Sequence, residues 1–311
     1  MSEKLPIYGG QAVLEGVMMR GSQALAVAVR DPKGAIQLQC RPLSRLYRGP
    51  VSRWPFVRGL LGLWDALGLG MQALTYSANI AAGEAVQVEG PTMWVTVSIS
   101  LTFGIALFFL APAAAGAGID YLLQSVLETA PTVTAGWVGN LAEGLIRLGL
   151  IVGYIWGIGF IPDIKRLYGY HGAEHKVINA FEAGAPLTPE SAARFPLEHP
   201  RCGTAFLLVV VVLSILLFSL LGPLDLMWRL LSRILFVPML AGIAYEYLRF
   251  TARYISNPFI RLIVIPNLLM QRLTTREPDL QMLEVSITAF EAMRKAEAPD
   301  DFANRLANSP T

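Results

Sequence analysis

The chain has 311 residues, of which 54% are hydrophobic and 15% charged, with a formal net charge of +2. Soluble domains carry about a quarter charged residues, so the depletion points to a bilayer as part of the solvent, and the small net charge without a Lys/Arg run argues against a nucleic-acid partner. Two cysteines, Cys40 and Cys202, cannot build a disulfide framework and fit a reducing compartment.

The opening text, "MSEKLPIYGGQ", lacks the basic-then-apolar pattern of a signal peptide, so no cleavage is expected. Residues 9–21, "GGQAVLEGVMMRG", place their glycines in neither the phosphate-loop nor the dinucleotide spacing. They read as a glycine-shaped loop packing through Met18 and Met19, with Glu15 and Arg20 within reach of a site as the functional alternative. "ALAVAVR", a "DPKG" turn and "AIQLQCR" read as a hairpin, which makes 1–58 a β-rich region.

Residues 59–83 are apolar but rich in glycine and contain Asp65; they read as an interfacial or re-entrant helix. A transmembrane helix needs about 20 mostly apolar residues. Segments 94–116, 141–161 and 205–224 satisfy this, and 230–250 does so with Arg233 and Glu246 near its ends, where long side chains reach the interface. Within the second span, Glu143 and Arg147 stand one turn apart and are expected to neutralise each other. Nine Lys/Arg lie between residues 4 and 58 and none between 59 and 146. Basic residues return in 162–204 and after 250, so positive-inside logic places both termini and the 162–204 loop in the cytoplasm. Residues 276–298 read as an amphipathic helix with Pro278 in its first turn and Leu280, Leu283, Ile287 and Phe290 on one face. That face is expected to dock on the other cytoplasmic pieces, with a protein partner as the lesser reading. The tail, 299–311, reads as disordered. The fold class that follows is a mainly α integral membrane protein: about four transmembrane helices across 94–250, a small β-rich cytoplasmic N-terminal region, and a cytoplasmic helical region over 251–298.

The chain holds three histidines, all between residues 171 and 199. In "YHGAEHKVINAFEAG", His171 and His175 share one helix face, Glu182 falls on the same face, and Glu174 lies at its edge. Ala173, Val177, Ala180 and Phe181 form a separate apolar stripe that should pack inward. Two imidazoles one turn apart can hold a metal ion, and a neighbouring glutamate can take a proton from water the metal activates. The spelling H-x-x-E-H is that of the inverzincins. "EHPRCG" adds His199 and Cys202, so the full set reads H-x3-H … H-x2-C, which zinc or another divalent metal accepts. Four ligands would close the site and make it structural; three would leave a position open and give Glu174 a catalytic role. The bland reading is a set of polar surface residues on a cytoplasmic loop, or histidines hydrogen-bonded at the membrane interface. Glu15, Glu182 and Glu246 are additional candidates, with pairing of Glu246 to Arg249 or Arg253 as the plain alternative.

"YGGQAVLEGVMMRG", "IPDIKRLYGYHGAEHK", "HPRCGT", "AYEYLRF" and "TTREPDLQMLEVSI" together resemble the YqhQ-like family of bacterial multi-pass membrane proteins. The resemblance runs over roughly residues 6–295. It implies a bacterial inner-membrane protein of a family labelled as predicted metal-dependent enzymes, with Glu15, His171, Glu174, His175, His199, Cys202 and Glu246 as its motif residues, and it leaves the reaction open. Three functions follow in order: a membrane-embedded zinc-dependent hydrolase with its site at the cytoplasmic face, a scaffold or assembly factor with a structural metal, and a transporter. The partners implied are the lipid bilayer and a cytoplasmic protein or small molecule. The transporter ranks last because no pair of spans shows the Gly/Pro-broken pattern of inverted repeats.

Overall fold

The computed structural model describes residues 8–43, 54, 56–83, 91–126, 132–222, 224 and 226–297. The expected disordered tail lies outside them. The chain is mostly helical, with one small antiparallel sheet at its N-terminal end.

The sheet is a meander of β1 (Gly9–Val13), β2 (Gly16–Arg20), β3 (Ala24–Arg30) and β4 (Ile36–Pro42), in that spatial order. The expected hairpin is β3–β4, paired from Ala24↔Pro42 to Arg30↔Ile36, with Asp31 Oδ1 accepting from the backbone of Lys33 and Ala35 in the turn. Residues 9–21 are a second hairpin rather than a loop. Glycine is depleted in strands, and Gly10, Gly16 and Gly21 mark close approaches instead. A Cβ at Gly10 would lie 2.5 Å from the Met18 carbonyl oxygen and 3.0 Å from the Glu174 side chain.

Both faces of β2 and β3 are covered, which is why "GVMM" and "ALAVAV" run apolar without alternation. Successive strand residues point to opposite faces. Met18, Leu25, Val27 and Val29 pack with Ala73 and Leu69 of α1 (Val57–Ala81). Val17, Met19, Ala26 and Ala28 pack with α5 (Pro162–Glu182) and α10 (Leu280–Glu297). α1 is one continuous helix. It packs on the sheet at one end and along α8 (Leu226–Arg253) at the other, while Trp64 and Leu67 between them are 70% and 63% exposed.

α10 begins later than its sequence suggests. Asp279 Oδ1 caps Met282 N–H, so Pro278 precedes the helix instead of opening it. Leu283, Ile287 and Phe290 are buried against the sheet as expected, whereas Leu280 is 49% exposed. The helix is tied to the sheet at both ends, by Arg30 to Glu284 and by Glu297 to the Gln23 and Ala24 N–H groups.

Among the described residues three helical stretches are long and apolar enough to cross a membrane: Trp94–Val126, Gly136–Ile158 and Gly203–Leu220. The first comprises α2 (Pro91–Ile105), a π-helical turn (Ala106–Leu110) and α3 (Ala111–Val126); the others lie in α4 (Thr132–Ile158) and α7 (Gly203–Leu220). The fourth expected span falls within α8, a 28-residue helix with Pro238 inside. The π turn has a local cause. Pro112 has no N–H for the Phe108 carbonyl and its ring crowds that oxygen. Arg147 Nε donates to the freed Phe108 oxygen at 2.9 Å, while Arg147 Nη2 reaches Glu143 Oε1 at 2.7 Å. The expected neutral pair is therefore also what satisfies a backbone group broken by proline.

Candidate metal centre

α5 starts cleanly: Pro162 occupies its first turn and Asp163 stands beside the positive end of the helix. It stops at Gly184, whose φ of +72° allows Gly184 N–H to reach the Phe181 oxygen and Ala185 N–H the Ala180 oxygen. Between these ends the helix has two working faces. Ala173, Val177, Ala180 and Phe181 are buried in the core with the sheet and α10, as their spacing predicts.

The polar face carries His171, His175, Asn179 and Glu182, and it holds the loop over 193–202 that follows the short α6 (Pro189–Ala192). His175 Nδ1 faces the Leu197 oxygen at 2.5 Å. Asn179 Nδ2 donates to the Pro196 and Glu198 oxygens, and Lys176 Nζ to the Ala193 and Phe195 oxygens. His171 Nδ1 faces the Thr274 oxygen at 2.9 Å at the end of α9 (Pro258–Thr274). A carbonyl can only accept, so both rings carry their proton on Nδ1 and turn the Nε2 lone pair the other way.

Those lone pairs converge. His171 Nε2 lies 3.3 Å from Cys202 Sγ, and ligand atoms of His171, His175 and Cys202 all fall within 4.8 Å of one another. His175 is 1% exposed, and its Nε2 has no hydrogen-bond partner among the described residues. A buried nitrogen lone pair left without a partner is costly. Histidines oriented by backbone carbonyls through Nδ1 are the outer-shell arrangement that metal-bound imidazoles require. The group therefore fits a metal ion and can hold one.

His199 stands outside this trio. Its ring is 5.7 Å from that of His175, and its Nε2 lies 3.8 Å from Glu182 Oε2, beyond hydrogen-bond length. Two bonds between its backbone and Gln271 lock it to α9. Burial holds the His199 ring below its ordinary pKa, only partly offset by Glu182. Burial pushes the Glu182 carboxyl up, but His199 and Arg201 beside it outweigh that and leave it lowered.

Glu174 points to the sheet side of α5, 5% exposed, and accepts a hydrogen bond from Gly10 N–H. Burial raises its pKa to about 7, against the pull of His171. Glu15 has φ +51° in the β1–β2 turn and holds Arg166 through both carboxylate oxygens, with Tyr170 OH at 3.3 Å. The Arg166 bond keeps its carboxyl below the usual range. Glu246 pairs with Arg58, neither Arg249 nor Arg253. Glu15, Glu182 and Glu246 thus each face an arginine. Asn179, Lys176, Gln271 and Thr274 position the site yet were not singled out in the sequence. Asn179 alone had a signal there, one turn beyond His175 on the same face.

A family described as a protein of unknown function (DUF1385) matches residues 54–296. The uncharacterized protein YqhQ of Bacillus subtilis (strain 168) is 32% identical over 309 residues, covering 94% of each chain. No solved structure matches.

Proposed function

The chain belongs to the DUF1385, YqhQ-like family, and from its own geometry we propose that it is a membrane-embedded, metal-dependent hydrolase whose centre faces the cytoplasm. The observation that carries this reading is the buried, partnerless His175 Nε2 beside His171 Nε2 and Cys202 Sγ. Three donors of nitrogen and sulfur type suit zinc and leave a coordination position open, as catalytic rather than structural sites do. A divalent ion held there would supply Lewis acidity at the membrane surface. His171, His175 and Cys202 would hold it, the two imidazoles oriented through Nδ1 by the Thr274 and Leu197 carbonyls. Glu174, on the sheet side of α5 next to His171 and outside the three donors, would hold a proton on a carboxylate that Gly10 N–H orients. The scaffold reading is weaker, because the α10 face that a protein partner would need is spent on the sheet and α5.

Metal content of the protein purified in mild detergent, without a chelator or histidine tag, tests the reading. About one divalent ion per chain is expected, falling below a tenth in His175→Ala, as loss of one of three ligands implies. An ion retained in that variant would move the centre elsewhere. Glu174→Gln should keep the ion and lose turnover by about 100-fold or more.

A further inference from the structure

A cavity of about 410 Å³ lies between the π turn, α4, α7 and α8, walled by Phe108, Arg147, Tyr154, Leu207, Val211 and Ser214 among others. That volume is within the range of small-molecule sites. Three of its four walls belong to candidate spans or their π turn. Tyr154 and Leu207 at its rim are 42% and 43% exposed, so it opens sideways to whatever surrounds the spans.

Both long walls lead to the metal centre. On α7, Thr204, Leu207, Val211 and Ser214 form one stripe, and Thr204 Oγ1 touches Cys202 Sγ at 3.1 Å. From Cys202 to Leu207 the helix rises roughly 7.5 Å. On α4, the Ile155 oxygen accepts from Tyr168 OH, one turn before His171 on α5. Cys202 caps α7, whose 18 residues match the hydrocarbon thickness at about 1.5 Å each. The candidate centre therefore stands at the end of a candidate span, with the cavity wall at Leu207 roughly 7.5 Å further along the same helix. A transmembrane peptide helix does not suit this space. A helix about 10 Å across fills on the order of 100 Å³ per residue, so the cavity would hold only about four residues of one.

We propose that this cavity seats one acyl chain of a membrane lipid whose polar head reaches His171, His175 and Cys202, which makes the substrate class an acyl lipid; the assignment rests on the metal-centre reading above. The arginine lining the cavity, Arg147, is already neutralised by Glu143 and donates to the Phe108 carbonyl, so the occupant there is a hydrocarbon chain and not an anion.

The test uses the full chain in phosphatidylglycerol vesicles doped with a phosphatidylglycerol carrying a mid-chain diazirine, with labelled peptides mapped after illumination and metal measured on the same sample. Label concentrated on Tyr154, Leu207 and Val211 is expected. It should fall about tenfold in Leu207→Trp, the effect of filling a chain-sized space with one aromatic, with metal content unchanged. Ser214→Leu should give the same loss from a second wall, so that the folding of one variant does not decide the result. Label spread equally over Leu101 and Phe103 on the outer surface would overturn the acyl site while the metal measurement leaves the centre standing. A labelled cavity in protein that binds no metal would overturn the hydrolase reading and the substrate assignment with it.

Discussion

Phe290 and Phe103 sit in two regions that bury apolar surface by opposite means. Phe290, between the sheet and α5, is 0% exposed and makes ring contacts with Tyr8 and Phe181. Phe103, in Trp94–Val126, is 59% exposed, as are its neighbours Leu101 and Ile99 to a similar degree. The sheet lobe supplies its own apolar medium, whereas the first candidate span needs one from outside, and lipid is the medium that fits. The candidate metal centre lies where these two regimes meet: His171 and His175 come from the lobe's helix, and Cys202 caps a candidate span.

That contrast can be tested by equal truncations. Phe290→Ala should cost about 3–5 kcal/mol through loss of burial plus a cavity, while Phe103→Ala should stay within about 0.5 kcal/mol because it changes only lipid contact. Denaturation in detergent reads both, and similar losses would mean that the first span is packed against protein. Arg147→Leu should cost about 3 kcal/mol, since it strips Glu143 of its ion pair and the Phe108 carbonyl of its donor. Replacing Glu143 and Arg147 together by leucine should recover part of that loss, and a double-mutant cycle measures the coupling. Gly10→Ala should cost about 1–3 kcal/mol, because the new methyl meets the Met18 carbonyl and the Glu174 side chain.

The smallest effect concerns Glu15 and Arg166, which are partly solvent-exposed. Arg166 lowers the Glu15 pKa from its ordinary 4.5, so the pair contributes fully above that value and is lost as pH falls through the lower folded one. The contribution is below about 1 kcal/mol. Thermal melts between pH 6 and 3 should show a shallower acid loss in Glu15→Gln than in the parent; identical slopes would show that the pair does not stabilise the lobe.

Legibility varied with the kind of signal. The face shared by His171 and His175 was readable because helical spacing is local, and the buried stripe from Ala173 to Phe181 for the same reason. The β1–β2 hairpin was obscured by glycines whose purpose lies in another element: Gly10 makes room for Glu174, which is 164 residues further along the chain. The partners of Glu15, Glu182 and Glu246 were equally hidden, since Arg166, Arg201 and Arg58 reach them only after folding.

What the sequence determined by itself was the apolar budget, the runs long enough to cross a bilayer, the helix that aligns two imidazoles, and the family. The first three depend on composition or on periodicity within one element, and the family on the resemblance of five motifs spread along the chain. Only the tertiary structure decided that Cys202 joins the two histidines while His199 stands aside, that both imidazole tautomers are set by the Leu197 and Thr274 carbonyls, and that an apolar cavity is walled by the helix that Cys202 caps. Those outcomes depend on where separate helices stop and how their ends meet, which side-chain spacing along one chain does not encode.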